Sequence, residues 1–331
     1  MLSNKKNLTV SDFINARTLN RVMLVVILLA EIIVFSSLTP YFFKFKNMLS
    51  VGREIATLGL VAIGQTMCIL LGGFDLSVGG AAALCGIVSA YFASESFLGL
   101  PYGVALAAAM LCAALIGVGN GFLISKIKVN PFITTMSMNF ILGGAVILIS
   151  KNPITVNSPA YKFLGATTLG ELGGRGIPLP LIIMALLFAI FAFILKYTKL
   201  GRRIYATGGN IEAARIAGIN VERIQFSTYL MSSLLSGFAG IMLASRLATA
   251  NPNIGSSYGM ESIAAAVLGG TALSGGEGNV WGSFMGVVVM GLLSNGLVMV
   301  GVSQAWRNIA TGIVLVFAIV LQLLSKKSKK H

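Results

Sequence analysis

Long apolar stretches separated by short polar segments dominate the chain. Most of them approach the length of about 20 residues that an α-helix needs to cross the hydrocarbon core of a bilayer. Several are shorter and rich in glycine, which indicates tilted, kinked or interrupted helices. The pattern predicts ten membrane-spanning helices, over residues 22–40, 53–72, 76–94, 102–124, 131–150, 179–197, 226–249, 259–274, 281–299 and 306–324.

The composition independently favours a membrane protein. Hydrophobic residues make up 56% of the chain and charged residues 10%, whereas soluble domains carry about 25% charged residues. A large soluble helical protein is therefore excluded. We predict an all-α, polytopic membrane protein that forms one transmembrane domain over residues 1–331.

The basic residues predict how the chain is oriented. With ten crossings, sixteen of the 24 lysines and arginines fall on one side of the membrane and eight on the other. Because basic loops stay cytoplasmic, we expect both termini inside the cell. This orientation makes residues 1–21, 198–225 and 325–331 cytoplasmic and residues 151–178 external. The first apolar run lacks a small-x-small cleavage site and is read as an uncleaved span.

Charge and residue usage exclude several function classes. The net charge of +14 does not indicate nucleic-acid binding, because no basic stripe is interleaved with aromatic residues. Cys68, Cys85 and Cys112 lie in apolar runs without metal-ligand spacing, and the single histidine is His331. We therefore expect no metal site, no cofactor and no histidine-based catalysis.

Two glycine-rich motifs resemble nucleotide-binding signatures. Leu273-Ser274-Gly275-Gly276-Glu277 is similar to the LSGGQ signature of ABC ATPases, but a P-loop has a Gly-Lys pair and none occurs in the chain. We predict a turn between spans. Gly117-x-Gly119-x-Gly121 lacks the strand that precedes a dinucleotide-binding loop, so we predict that it packs helices together.

One polar segment contains the signals of a short helix. Asn210 is a suitable N-cap, Glu212 follows in the first turn, and Gly218 is suited to end the helix. A helix of about two turns is marginally stable alone. The segment therefore suits docking on another protein, although an ordinary solvated loop is the alternative.

Two further features concern the spans themselves. Residues 71–79 and 268–276 share six of nine residue types, from either an internal repeat or chance in a glycine-rich chain. The acids Glu31, Asp75 and Glu261 lie within or beside predicted spans. An acid in the membrane should face protein or water. Asp75 either caps the helix that follows it or lines a pathway.

Two motifs resemble those of ABC importer permeases. Glu212-Ala213-Ala214-Arg215-Ile216-Ala217-Gly218 is similar to the EAA-xxx-G element that docks on the ATP-binding subunit. Residues 72–79 read GGFDLSVG and are similar to the GGIDLSVG stretch of permeases for ribose, xylose, arabinose, galactose and autoinducer-2, with Phe74 in place of isoleucine. Residues 269–276 and 278–282 also resemble that family.

The resemblance implies a ten-helix fold similar to the vitamin B12 permease class. It implies as partners a cytoplasmic ATPase, often with tandem nucleotide-binding domains, an external sugar-binding protein and a second permease copy. The implied ATPase-coupling residues are Arg202, Arg203, Glu212, Ala213, Ala214 and Gly218. The candidate pathway or family-motif residues are Gly72, Gly73, Asp75, Ser77, Gly79, Gly269, Gly270, Ser274, Asn120 and Asn139.

The resemblance favours one function. The chain is predicted to be the permease subunit of an ATP-driven sugar importer in the bacterial plasma membrane, without enzymatic activity of its own. The alternative is a secondary transporter with Glu31, Asp75 and Glu261 as proton carriers. The docking segment separates the two, because a secondary transporter has no ATPase to bind.

Overall fold

The computed structural model describes residues 16–170 and 176–327, with side chains described for residues 22–170 and 176–320. Over these residues the fold is helical. The helices are α1 (Ala16–Leu38), α2 (Phe45–Leu70), α3 (Val78–Ala93), α4 (Tyr102–Ser125), α5 (Pro131–Ile149), α6 (Pro159–Ala166), α7 (Leu179–Tyr197), α8 (Lys199–Gly209), α9 (Ile211–Ile216), α10 (Val221–Leu247), α11 (Tyr258–Leu268), α12 (Val280–Met299) and α13 (Gln304–Lys327). Most of the predicted terminal segments, 1–21 and 325–331, lies outside the described residues.

Each of the ten predicted spans contains a helix. In the described residues, α2, α4, α5, α7, α10 and α12 are long and apolar enough to cross a membrane. The apolar parts of α1, α3, α11 and α13 are shorter. The all-α membrane fold is therefore confirmed, whereas the count of ten crossings and the likeness to the vitamin B12 permease class stay predictions.

The helices differ in how far they are buried. Helix α2 is buried over almost its entire apolar length, whereas α4, α5 and α7 bury less than a third of theirs. A helix surrounded by protein is central, and a helix with one apolar face left open is suited to lipid on that face. Helix α10 packs beside α2 against α3 and α4, which completes the centre of the bundle.

Small residues bring the central helices into close contact. A Cβ on Gly117 of α4 would lie 2.8 Å from Cα of Leu230 in α10, and one on Gly121 would lie 2.9 Å from the Phe226 ring. The predicted packing role of this glycine motif is confirmed. Small-xxx-small spacing works in this way because it lets helix backbones approach.

Short strands join the segments at one end of the bundle. Strand β1 (Ile154–Thr155) pairs antiparallel with β4 (Thr249–Ala250), which follows α10. Strand β2 (Thr168–Leu169) pairs with β3 (Ile177–Pro178). The segment 151–178 is therefore not a plain loop, because these strands and α6 hold it against the end of α10.

Two helices, α2 and α11, end with the same backbone motif. The Gly72 N–H donates to Ile69 and the Gly73 N–H to Cys68, and the Gly270 and Thr271 N–H groups repeat this pattern with Val267 and Ala266. Gly72 and Gly270 both have positive φ, of 79° and 86°. This is the Schellman arrangement of helix ends. By backbone conformation Gly72 corresponds to Gly270. The similarity between residues 71–79 and 268–276 instead aligns Gly72 with Gly269, one position earlier.

Candidate functional site

Helix α9 begins and ends as the sequence predicts. The Asn210 side chain accepts a hydrogen bond from the Ala213 N–H at 3.0 Å. At the other end, the Gly218 N–H donates to the Arg215 carbonyl and the Ile219 N–H to the Ala214 carbonyl. Gly218 has φ of 77°, a conformation that costs other residues roughly 1 kcal/mol or more. The caps therefore define α9 as a helix of six residues.

Most of α9 is exposed. Ile216 is 88% exposed, and Glu212 and Arg215 form an exposed ion pair of 2.8 Å on the same helix. Ala213 is also exposed, whereas Ala214 is buried against its own chain. The two alanines of the motif therefore differ, because only Ala213 belongs to the open surface. Ala214 instead holds α9 on the permease.

The helix that precedes α9 was not predicted from the sequence. Helix α8 begins at Lys199, where the Thr198 hydroxyl accepts a hydrogen bond from the Gly201 N–H at 3.3 Å. It buries Gly201, Ile204 and Thr207 and exposes Arg202 and Arg203. The spacing of three between the buried positions is a helical signal. Two glycines at its end and a basic pair within it concealed that signal.

The end of α8 meets two other glycine-rich segments. We call this contact the glycine junction, formed by Gly72, Gly208, Gly209, Gly275 and Gly276. The Gly276 N–H donates to the Leu70 carbonyl at 2.9 Å. A Cβ on Gly208 would overlap the Leu70 carbonyl oxygen and lie 2.9 Å from the Gly276 nitrogen, whereas a Cβ on Gly209 would meet nothing within 4 Å. Backbone therefore packs directly on backbone at Gly208.

A tyrosine adds a second link between α8 and the segment 269–279. The Tyr205 hydroxyl donates to the Gly278 carbonyl at 2.9 Å. Burial raises the pKa of the Tyr205 phenol above its ordinary value. Helix α8 thus contacts the segments that follow α2 and α11, and Asn210, the cap of α9, comes directly after Gly209. The LSGG-like motif lies in this region as a turn, as predicted.

Asp75 lies at the centre of a buried hydrogen-bond cluster. One carboxylate oxygen accepts from the Ser77 N–H at 3.0 Å and from the Ser77 hydroxyl at 2.5 Å, and the other accepts from the Ser232 hydroxyl at 2.7 Å. The Asn120 amide donates to the Ser77 hydroxyl at 2.8 Å. All four residues are fully buried. The cluster therefore ties the segment before α3 to α4 and α10.

This geometry favours the capping interpretation of Asp75. The carboxylate satisfies the Ser77 N–H directly before α3, as an acidic residue at a helix start does. Among the described residues no ion pair includes Asp75, and it hydrogen-bonds neither Glu31 nor Glu261. Within the same residues no group of three potential metal ligands comes together.

The remaining motif residues lie in the segments 71–79 and 268–276 or beside them. The Asn139 side chain accepts the Gly80 N–H at 3.0 Å, in the first turn of α3. Gly73 lies against the Tyr229 hydroxyl, Gly79 beside the Gly255 carbonyl, and Gly269 against Gly282. Gly72 lies near the Ser274 carbonyl, so the echoed segments 71–79 and 268–276 contact each other. Hydrogen bonds connect Asp75, Ser77 and Asn120 to one another, and Asn139 is not part of this cluster.

Ser232, whose hydroxyl donates a hydrogen bond to Asp75, was also not among the predicted site residues. It belongs to a group of serines in α10 formed by Ser227, Ser232, Ser233 and Ser236. Several hydroxyls within a spanning helix are a usable signal, because such groups face protein partners rather than lipid.

Comparison with known proteins places the chain among transport proteins. A family model described as "Branched-chain amino acid transport system / permease component" matches residues 47–319. The ribose import permease protein RbsC of Bacillus subtilis (strain 168) is 41% identical over 295 residues, covering 88% of this chain and 88% of that protein.

Two other relatives are similar over comparable lengths. The ribose import permease protein RbsC of Escherichia coli (strain K12) is 38% identical over 299 residues, covering 89% of this chain and 91% of that protein. The fructose import permease protein FrcC of Rhizobium meliloti is 31% identical over 312 residues, covering 92% of this chain and 86% of that protein. No solved structure matches the chain significantly.

Proposed function

The chain belongs to the family of ABC importer permease components, and we propose that the substrate it carries across the plasma membrane is a monosaccharide. The observation that carries this proposal is the similarity, over most of the chain, to import permeases for ribose and fructose. Members of this group are transport subunits, and ATP is hydrolysed by a separate subunit. The secondary-transporter alternative has no such support.

Reconstitution tests the energy source. We expect labelled ribose or a related monosaccharide to enter vesicles only when the permease is joined by its ATP-binding subunit, the sugar-binding protein and ATP. The permease alone should hydrolyse no ATP. Uptake by the permease alone in response to a proton gradient would contradict the proposal.

The docking surface for the ATP-binding subunit is proposed to be α9 with the basic side of α8. The exposed residues Glu212, Ala213, Arg215 and Ile216 offer an apolar side chain beside charges, which suits binding in a groove of a partner. Arg202 and Arg203 are exposed in α8, the helix that precedes α9. We further propose that the ATPase has tandem nucleotide-binding domains and that two permease copies surround the pathway.

Substitutions at Gly218 test this docking surface. Gly218→Val should reduce co-purification of the ATP-binding subunit and sugar uptake at least tenfold, because valine resists the left-handed conformation that ends α9. Gly218→Asn should retain both activities substantially, since asparagine tolerates that conformation. No side chain lies within 4 Å of a Cβ at this position, so crowding does not explain a loss.

A second variant tests the same surface by removing the contact that anchors α9 on the permease. Ala214→Asp places a charge at a buried position and should also detach α9, with membrane abundance unchanged. Normal co-purification and uptake in both Gly218→Val and Ala214→Asp would remove the docking surface from α9, while leaving the sugar-import function to be judged by reconstitution.

The orientation is proposed from the bias of basic residues, with both termini cytoplasmic and residues 1–331 forming one permease domain. The ion pairs of Glu222 with Lys126 and Lys128 put the α4–α5 connection and the start of α10 on one side. This shared side is what the ten-crossing topology requires, and the bias of basic residues is the ground for proposing that it is cytoplasmic, with residues 151–178 external. Cysteines introduced at residues 202–223 should react with an impermeant thiol reagent only from inside, and the reverse result would invert the orientation.

A further inference from the structure

A groove opens on the surface where α7, α8 and α12 meet. It has a volume of about 500 Å³ and lies on the same side of the bundle as α9. Its lining includes Leu195, Lys196, Arg202, Tyr205, Asn279 and Trp281. The groove therefore combines two basic residues, two aromatic residues and an apolar wall.

The two basic side chains have no acidic partner among the described residues. The Lys196 ammonium lies 5.1 Å from the centre of the Tyr197 ring, and the Arg202 guanidinium donates to the Tyr197 carbonyl at 3.2 Å. Neither contact neutralises a positive charge. Both cations are exposed and remain available to an anion.

The start of α12 adds to the positive field in the groove. Asn279 lines the groove and caps this helix of 20 residues by accepting the Gly282 N–H at 2.7 Å. A helix N-terminus carries a partial positive charge and favours anions. Two cations and a helix N-terminus therefore all favour an anion in the groove. None of the residues described in its lining is acidic.

The other wall of the groove is suited to hydrocarbon. Trp281 is 55% exposed and packs edge-on against Phe284. Ala192, Leu195 and Val280 supply the rest of the apolar lining, and α7 exposes Leu186, Ile190 and Phe193 elsewhere on its surface. Tryptophan is typical of the membrane–water interface, so its position in the groove suits a lipid headgroup with an acyl chain beside it.

We propose that this groove binds an anionic phospholipid, with the phosphate at Lys196 and Arg202 and an acyl chain along α7 beside Trp281. Basic pockets between membrane helices bind such headgroups. A free inorganic anion would leave the apolar wall uncovered. An acidic segment of the ATP-binding subunit is the competing occupant, but its charged side chains would leave the exposed Trp281 and the apolar lining uncovered.

Binding here would act on α8. Arg202 and Tyr205 belong to that helix, and the Tyr205 hydroxyl bonds the Gly278 carbonyl. A lipid held in the groove would therefore brace α8 against the start of α12. The proposal requires only that the chain spans a membrane, and it does not depend on the sugar or on the docking role of α9.

The chain offers a direct probe, because it contains two tryptophans. Trp281 lies in the groove, whereas Trp306 lies near the opposite end of α12, at the start of α13, and is 64% exposed. In the variant Trp306→Phe only Trp281 reports, and in Trp281→Phe only Trp306 reports. Each purified permease is placed in vesicles containing brominated phosphatidylglycerol or brominated phosphatidylcholine, and tryptophan quenching is measured.

We expect half-maximal quenching of Trp281 at a roughly twentyfold lower fraction of brominated phosphatidylglycerol than of brominated phosphatidylcholine, since each basic residue contributes about fivefold. Trp306 should be quenched equally by both lipids. Adding Lys196→Gln and Arg202→Gln to the Trp281 reporter should abolish the preference. Lys199→Gln, an exposed lysine nearby that does not line the groove, should retain it.

Two results would overturn the proposal. One is equal quenching of Trp281 by both lipids, and if Lys196→Gln alone, which leaves Arg202 of the docking surface unchanged, then also fails to bind the ATP-binding subunit, the groove belongs to an acidic segment of that subunit. The other is a preference for phosphatidylglycerol that survives the double substitution, because the anion would then be held elsewhere.

Discussion

Helices α8 and α9 are neighbours in the chain with opposite environments. One residue, Asn210, separates them. The end of α8 packs backbone to backbone against the end of α2 and the segment 269–279, whereas α9 buries only Ala214. The difference assigns them different tasks. An exposed helix is suited to bind a partner, and a helix wedged among backbones moves only together with the elements that it touches.

The contrast also predicts where force would pass from an ATPase into the membrane. A partner that shifts α9 acts through Asn210 on Gly209 and Gly208. Because Gly208 leaves no space against Leu70, the shift must move α2 or the segment 269–279. The glycine junction is therefore the proposed link between α9 and the segments that contain Asp75 and Ser274.

The largest effect is expected at the glycine junction. Gly208→Ala forces a methyl group into the Leu70 carbonyl and should destabilise the permease by at least about 3 kcal/mol, at the upper end of overpacking, because backbone cannot rotate away. Unfolding of the purified permease in mixed detergent micelles measures the loss. Sugar uptake should fall with it.

Gly209→Ala is the matched control for this substitution. It lies in the same helix turn, and its added methyl group meets nothing within 4 Å. Stability and uptake should stay near those of the unmodified chain. Equal behaviour of the two variants would show that the close packing at Gly208 does not constrain the permease.

A smaller effect is expected in the Asp75 cluster. Asp75→Ala removes the acceptor for Ser77 and Ser232 and leaves their buried groups unpaired, at a cost of about 2 kcal/mol. Asp75→Asn keeps a carbonyl oxygen and should recover part of the stability. Uptake normalised to folded permease should persist in Asp75→Asn if the residue is a cap, and its complete loss in a stable protein would instead indicate a role in the pathway.

The smallest effect is expected at the cap of α9. Asn210→Ala removes one capping hydrogen bond and should cost about 1 kcal/mol, confined to α9. Global unfolding should barely change, whereas hydrogen exchange of the α9 amides should speed up about fivefold. Rapid exchange spreading into α8 would contradict the separation between the two helices.

Part of the architecture was predictable because it depends on local chemistry. Every predicted apolar run contains a helix, and the Asn210 cap and the Gly218 terminus occur where the side chains indicated them. Helix boundaries were less accurate. Helix α10, for example, begins at Val221, five residues before the predicted span, because Asn220 caps it in the polar segment.

Other features depended on contacts that no local pattern reveals. Ala214 is buried and Ala213 is exposed because only one side of α9 packs against the rest of the permease. The match between the ends of α2 and α11 is shifted by one residue from the sequence match, because Gly72 and Gly270 share the backbone conformation. The donor from Ser232 to Asp75 joins residues 157 positions apart.

The sequence by itself determined that the chain is a membrane protein, that its fold is helical and that the short helix α9 forms, because hydropathy and capping act between residues close in the chain. The family motifs likewise indicated an ABC importer permease, which the relatives bear out. Only the tertiary structure decided that Gly72, Gly208 and Gly276 meet, that Asp75 is sealed among hydroxyls, and that Lys196 and Trp281 share a groove. These contacts arise where distant helices pack, and packing is decided by the shapes of all the helices together.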